Sequence, residues 1–235
     1  MNELFTLLQK IKENPVIYID KPSITCLDFF VGGYLSQLSN LGLTPEGYPM
    51  EGFNEWMQER EKINTTQSWV EILIFSCSSD RNAFYSFFEL FEKFIKQKNN
   101  SKIQESEDVL RLRQDLMFPR FDIYNEILGA IKKRPGMYLG TNSITRLDML
   151  LRGYSFARRE VGVSPTEPER EFEGFQSWIE DKYGIKSGQS WSKIILFYSI
   201  DEYEALQKFF ELFEEYLHQN KSSEVDETSG LNRDY

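Results

Sequence analysis

Histidine and cysteine are almost absent from the sequence, and their scarcity argues against several classes of function. His218 is the single histidine, and Cys26 and Cys77 are the only cysteines. Zinc sites need clusters of these residue types at fixed spacings, so we expect no metal site. A catalytic histidine would need a nucleophile and an orienting partner, and no motif supplies them. The sequence therefore predicts no catalytic residue and no cofactor, and it favours a binding protein over an enzyme.

Long apolar runs and an export signal are missing as well. No segment approaches the roughly 18 uninterrupted apolar residues of a membrane-spanning helix. The chain starts Met1-Asn2-Glu3-Leu4, without the basic start of a signal peptide. These features predict a cytoplasmic protein that does not bind a membrane and whose cysteines stay reduced.

Acidic residues outnumber basic ones, which limits the choice of partner. The formal net charge is −10, and residues 1–98 and 121–220 each contribute −4. Such a surface repels the phosphates of nucleic acids and attracts basic proteins. We therefore expect a protein partner and no nucleic acid. Net negative charge also improves solubility without any partner, and that interpretation stays open.

The sequence repeats itself at an offset of 120 residues, which becomes 122 after a two-residue insertion. The first copy carries Pro15, Tyr18, Gly33-Tyr34, Gly42, Trp56, Gln67-Ser68-Trp69 and Phe87-Phe88-Glu89-Leu90-Phe91-Glu92. The second carries Pro135, Tyr138, Gly153-Tyr154, Gly162, Trp178, Gln189-Ser190-Trp191 and Phe209-Phe210-Glu211-Leu212-Phe213-Glu214. This order and spacing predict two tandem modules, residues 1–98 and 122–220, with a linker at 99–121 and a disordered tail at 221–235.

Helical spacing of apolar residues predicts an all-α fold with about five helices in each module. The first helix of each module should end before Pro15 or Pro135 and lead into a short extended piece. Thr25-x-x-Asp28 and Thr145-x-x-Asp148 have the spacing of capping boxes, which predicts that they start the second helix of each module.

Residues 69–76 and 191–199 are ambiguous between strand and helix. Their β-branched and aromatic content is typical of a buried strand. Ser68-x-x-Glu71 is a capping box, and the apolar residues of the second segment follow a helical stripe. We predict helices here, with strands as the alternative.

Recurring aromatic residues could stack on a ligand or fill a core. They are Tyr34, Trp56 and Trp69 in the first copy and Tyr154, Trp178 and Trp191 in the second. All of them lie on apolar helical stripes, which favours core packing.

Residues 132–140, Lys-Lys-Arg-Pro-Gly-Met-Tyr-Leu-Gly, resemble a segment near the start of the ATPase domain of DNA gyrase B and related type II topoisomerases. That resemblance implies a nucleotide-binding ATPase-like fragment. The helix that follows offers Asp148 but not the family's Asn-x-x-Asp-Glu string. The first copy lacks the Arg, Gly and Met of the segment.

The second copy as a whole resembles a family of small uncharacterised bacterial proteins, some of which are encoded beside polymorphic or contact-dependent toxins as candidate immunity proteins. The resemblance rests on Arg-Pro-Gly-Met-Tyr-Leu-Gly, a helix ending in Gly-Tyr, Phe-x-x-Phe-x-x-Trp, Ser-Trp and a closing Phe-Phe-x-Leu helix. It implies an immunity protein that blocks a toxin by steric and electrostatic means. A structural or regulatory scaffold and a phage-type inhibitor of a host protein are the alternatives.

Acidic residues before and within the third helix of each module are the candidate contacts for a basic toxin domain. They are Glu46, Glu51, Glu55 and Glu59 in the first copy and Glu167, Glu169, Glu171 and Glu173 in the second.

Overall fold

The computed structural model describes residues 3–43, 49–100 and 123–230, and these residues form helices without a β-strand. The first part contains α1 Glu3–Glu13, α2 Pro15–Ile19, α3 Ile24–Asn40, α4 Phe53–Glu61, α5 Trp69–Ser76 and α6 Asp80–Asn100. A π-helical turn Ile123–Ile127 then leads into α7 Leu128–Lys133, α8 Pro135–Leu139, α9 Ile144–Glu160, α10 Glu167–Tyr183, α11 Trp191–Phe197 and α12 Glu202–Gly230. The all-α prediction is confirmed.

The two ambiguous segments are helices, as predicted. Ser68 caps α5 through the capping box with Glu71, and Ser190 caps α11 by accepting a hydrogen bond from the Lys193 amide. These caps pair amides that would otherwise lack partners at the helix starts. Capping hydrogen bonds therefore stabilise a helix in both segments, although their β-branched content favoured a strand.

The prediction of short extended segments after Pro15 and Pro135 is wrong. Helices α1 and α7 end before these prolines, as predicted, but each proline then starts a five-residue helix. Proline is favourable in a first helical turn, where its missing N–H group would have had no partner. Within residues 3–43 and 49–100 the structure consequently has six helices instead of five.

The capping boxes predicted at Thr25 and Thr145 are also wrong. Ser23 caps α3, its Oγ accepting from the Cys26 amide at 3.0 Å. The Ser143 Oγ accepts from the Arg146 amide at 3.1 Å in the same way. Since a serine two positions earlier takes the cap, each threonine is free to bond to a helix distant in sequence.

Hydrogen bonds from Thr25 and Thr145 each connect the start of one helix to the start of another. The Thr25 amide and hydroxyl both donate to Asp80 Oδ1, at 3.0 and 2.8 Å. The Thr145 amide and hydroxyl donate to the two carboxylate oxygens of Glu202, at 3.0 and 2.6 Å. As a result, α3 and α9 each begin next to the first residues of the long helix that follows α5 or α11.

The ends of the predicted modules are described only in part. Most of the predicted linker, residues 101–121, lies outside the described residues, and α6 extends to Asn100. Helix α12 continues to Gly230, into the predicted disordered tail, because no proline or glycine interrupts it before that residue. Residues 231–235 lie outside the described part.

The chain divides into two units, residues 1–121 with 149–163 (unit 1) and residues 122–148 with 164–235 (unit 2). Each unit is built around one phenylalanine enclosed by other aromatic rings. Around Phe53 in unit 1 these are Trp56, Trp69, Phe87, Phe91 and Phe94. Around Phe175 in unit 2 they are Trp178, Trp191, Phe209, Phe213 and Tyr216. The prediction that the recurring tryptophans pack into cores is confirmed, whereas the duplication and the module limits stay predictions.

Within unit 1, α3 and residues 149–160 cross at two glycines. A Cβ atom on Gly33 would lie 2.0 Å from the carbonyl oxygen of Leu150. A Cβ atom on Gly153 would lie 1.9 Å from that of Phe30. Real Cβ atoms do not come so close to other atoms, so only glycine permits this approach of the two backbones.

Two side-chain hydrogen bonds also join α3 to residues 149–160 near this crossing. Tyr34 Oη donates to Glu160 Oε2 at 2.7 Å, and Asn40 Nδ2 donates to Tyr154 Oη at 3.3 Å. Burial is the main reason that the pKa of the Tyr34 phenol is raised, followed by this bond to Glu160. Phe156 packs against Phe30 and Tyr34 in the same crossing.

Candidate protein-binding surfaces

The predicted acidic contacts differ in how far they reach the surface. Glu55, Glu59, Glu167 and Glu173 are exposed, and Glu51 and Glu171 are half-buried. Glu46 lies outside the described residues. Two of the carboxylates have cationic neighbours: Glu51 pairs with Lys98 at 3.7 Å and Glu167 with Arg170 at 3.6 Å. Four of the eight predicted residues therefore place a carboxylate fully at the surface.

Glu169 is buried and serves as a helix cap. Its Oε2 accepts from the Thr166 amide at 2.6 Å, which completes the capping box of α10. A carboxylate used in this way stabilises the helix start and is not presented to a partner. We leave Glu169 out of the candidate contact surface.

Large apolar side chains that sequence reasoning did not single out are exposed at the end of α5 and α11. Phe75 is 80% exposed and Phe197 is 78% exposed, and the two occupy matching positions of the repeat. In unit 2 the exposed side chains continue with Tyr198 at 44%, Ile200 at 92% and Tyr203 at 56%. We call residues 197–203 the apolar loop. Contiguous exposed apolar groups mark interaction sites in many proteins.

Hydrogen bonds hold the backbone of the apolar loop. Lys208 Nζ donates to the Tyr198 carbonyl at 2.6 Å, and the Ser199 hydroxyl donates to the Ile195 carbonyl at 2.8 Å. The Ile200 amide donates to Glu204 Oε2 at 2.5 Å. These bonds fix the backbone while leaving the apolar side chains in solvent, which reduces the entropy lost when a partner binds.

Side chains outside the loop fix it further. The Tyr198 ring stacks on Tyr183 at a centroid separation of 4.7 Å, which places the loop beside the end of α10. Glu202, at the start of α12, accepts hydrogen bonds from Ser143 and Thr145. The apolar loop is thus braced by two other segments of unit 2.

The matching residues of unit 1, 75–81, are polar apart from Phe75 and the half-buried Cys77. Ser76, Ser78 and Arg81 stand where unit 2 has Tyr198, Ile200 and Tyr203. Ser78 accepts a hydrogen bond from the Asn82 side chain at 2.7 Å. Within the described residues of unit 1, Phe75 and Tyr85 are the exposed aromatic side chains.

The segment that resembles a topoisomerase sequence is a capped helix in this structure. Pro135–Leu139 is helical, and Gly140 follows with a φ of 68°, a backbone conformation that favours glycine. Arg146 Nη1 donates to the Leu139 carbonyl at 2.6 Å. Met137 is largely exposed, as is Ile17 at the matching position of unit 1.

No protein-family model, curated protein or solved structure matches the chain. No helix within residues 3–43, 49–100 and 123–230 is long and apolar enough to cross a membrane. The same described ranges hold no group of three or more His, Cys, Asp or Glu side chains placed to bind a metal ion. The two cysteines are both free, Cys26 buried and Cys77 half-buried.

One signal in the sequence could have identified the apolar loop. The stripe that predicts α11 runs through Trp191, Ile194, Ile195 and Tyr198, and Phe197 falls outside it. A large aromatic residue off the buried stripe of a helix is a candidate for the surface. The sequence alone does not show that Tyr198, although on the stripe, stacks at the rim of the unit.

Proposed function

We propose that the protein is a cytoplasmic immunity protein that binds a basic toxin domain and blocks it sterically and electrostatically. The observation that carries this proposal is a set of large apolar side chains exposed on a hydrogen-bonded backbone, with Phe197 and Ile200 as its most exposed members. Aromatic and apolar side chains of this kind supply most of the binding energy in protein interfaces. The resemblance of the second copy to candidate immunity proteins agrees with this function.

Charge supports the choice of a basic partner. The protein carries a net charge of −10, and Glu55, Glu59, Glu167 and Glu173 place carboxylates at the surface. Opposite charge on a partner raises the rate of productive encounter, and like charge lowers it. Inhibition then needs no catalytic group, because an occupied active site cannot admit substrate.

A toxin domain encoded beside the gene, which the resemblance implies, provides the test of the proposal. We expect the purified full-length protein to bind that domain, to inhibit its activity in vitro and to protect cells that produce it. Failure to bind the domain and to protect the cells would overturn the proposal.

An alanine variant in the apolar surface adds specificity to this test. Phe197→Ala combined with Ile200→Ala should weaken binding at least tenfold, since it removes exposed side chains that the fold does not need. Leu43→Ala is the matched control, because Leu43 is also an exposed apolar residue but lies outside the apolar loop. Equal affinities of both variants would contradict the role of the apolar surface.

A further inference from the structure

The two units differ at the loops that follow α5 and α11, although the sequence repeat aligns these loops residue by residue. Unit 2 exposes four large apolar side chains between residues 197 and 203, and unit 1 exposes one, Phe75, between residues 75 and 81. Single exposed apolar residues are common on protein surfaces, but a cluster of four is not. The difference lies at the surface and not in the cores.

We propose that unit 2 alone binds the partner, and that it does so through the apolar loop. The matching loop of unit 1 does not contact the partner. The proposal rests on the proposed function and names the half of the protein that carries it. Its occupant is an apolar pocket on a basic protein domain. Tyr198, Ile200 and Tyr203 are the specificity-determining residues, because unit 1 has Ser76, Ser78 and Arg81 in their place.

The backbone of the loop is already held in one conformation, which favours insertion of its side chains into a pocket on a folded partner. Its backbone is held by Lys208 and Glu204, and the Tyr198 ring is already stacked on Tyr183. A braced loop loses little conformational entropy on binding, so its apolar side chains can act as anchors. Protein interfaces commonly place such anchors in desolvated pockets at their centres.

The charges around the loop favour a cationic rim on that pocket. Lys208 is paired with Glu204 at 2.9 Å, and Lys182 with Glu215 at 2.6 Å. Asp201 and Glu202 belong to the apolar loop itself, and no lysine or arginine stands between residues 197 and 203. The loop therefore carries net negative charge, as does the whole chain.

Matched double variants in the full-length chain test the proposal against the same toxin domain. Phe197→Ala with Tyr203→Ala should weaken affinity by about 30-fold or more, the effect of losing a hot spot. Phe75→Ala with Tyr85→Ala removes two exposed aromatic rings from unit 1 and should change affinity less than threefold. All four side chains are at least two-fifths exposed, so both variants should keep the melting temperature of the wild-type protein.

Each outcome of this experiment has a definite meaning. A wild-type protein that does not bind the toxin domain overturns the proposed function, and this inference with it. A wild-type protein that binds while both variants lose affinity equally, or while only the unit 1 variant does, overturns the inference and leaves the function standing. Hydrogen exchange supplies an independent readout, since the amides of residues 197–203 should gain protection in the complex and those of 75–81 should not.

Discussion

Glu204 shows how one carboxylate can hold the apolar loop in place. Its Oε2 accepts a hydrogen bond from the Ile200 amide, and its other oxygen pairs with Lys208, which in turn binds the Tyr198 carbonyl. The Ile200 amide is the main reason that the pKa of Glu204 lies below its ordinary value of 4.5, and the bond from Lys208 is the second. The ionised form of Glu204 is therefore the one that stabilises the apolar loop.

We expect Glu204→Gln to destabilise the folded protein near neutral pH and to have little effect in acid. Because the folded state lowers the pKa of Glu204, its contribution to stability is present above the ordinary value and is lost as pH falls through the lowered pKa. The difference in free energy of unfolding between wild type and variant should be constant above about pH 6 and shrink towards zero below about pH 4. Denaturant titrations across this range measure it.

Glu211→Gln is the control for this prediction. Glu211 is an exposed glutamate on the same helix, and its side chain makes no hydrogen bond or ion pair with the described part of the chain. Its replacement should leave the pH dependence unchanged. A wild-type to E204Q difference that persists at pH 3 would show that the loss comes from packing and not from charge.

Which serine or threonine caps a helix was only partly predictable from single residues. Ser23 and Thr25 both stand near the start of α3 and both can cap a helix. The choice depends on Asp80, because Thr25 binds its carboxylate across 55 residues of sequence. By contrast, Thr166-x-x-Glu169 has the spacing of a capping box, so the capping role of Glu169 could be predicted from the sequence.

Because of the crossing in unit 1, Gly32 and Gly33 of α3 are adjacent in sequence but have different surroundings, so their alanine variants can be compared directly. Gly33 meets the Leu150 carbonyl, whereas a Cβ atom on Gly32 would meet nothing within 4 Å. Gly33→Ala should destabilise the protein by about 2–3 kcal/mol, since two backbones must move apart. Gly32→Ala should stabilise it by up to about 1 kcal/mol, because alanine is the better helix former.

Thermal and denaturant unfolding of the two variants measure this difference. Gly153→Ala should behave like Gly33→Ala, since its Cβ atom would meet the Phe30 carbonyl. If Gly33→Ala and Gly32→Ala had the same stability, the close approach of the two helices would be refuted. The sequence marks a repeated glycine at 33 and 153, but only the partner helix shows why Gly33 matters and Gly32 does not.

Helix type and order were largely predictable, because apolar spacing and capping motifs are local signals. The five-residue helices at Pro15 and Pro135 were missed because proline both ends the preceding helix and fits the first turn of the next. The sequence shows where each proline lies, but it does not show which of these two roles the proline takes. The aromatic cores followed from the stripes, while the exposed residues Phe75 and Phe197 lie within the two segments that were ambiguous between strand and helix.

The net charge of the chain affects how fast it meets a basic partner. Glu167→Lys with Glu173→Lys should slow association with the toxin domain roughly tenfold at low ionic strength and weaken its salt dependence. Glu55→Lys with Glu59→Lys makes the same change in net charge in unit 1 and should have a smaller effect, since the docking proposed above is on unit 2. Stopped-flow association at several salt concentrations measures both variants. Equal rates for wild type and both variants would refute electrostatic steering.

The glycine crossing also orders events while the chain is being made. The core that contains Leu27, Phe30 and Tyr34 includes Met149 and Ala157, with Phe156 and Val161 packed against it. A ribosome that has released only the first 121 residues has not yet supplied these side chains. Until residue 163 emerges, the nascent chain exposes the face of α3 around Gly33, and premature termination within this interval would leave that face open to chaperones and proteases.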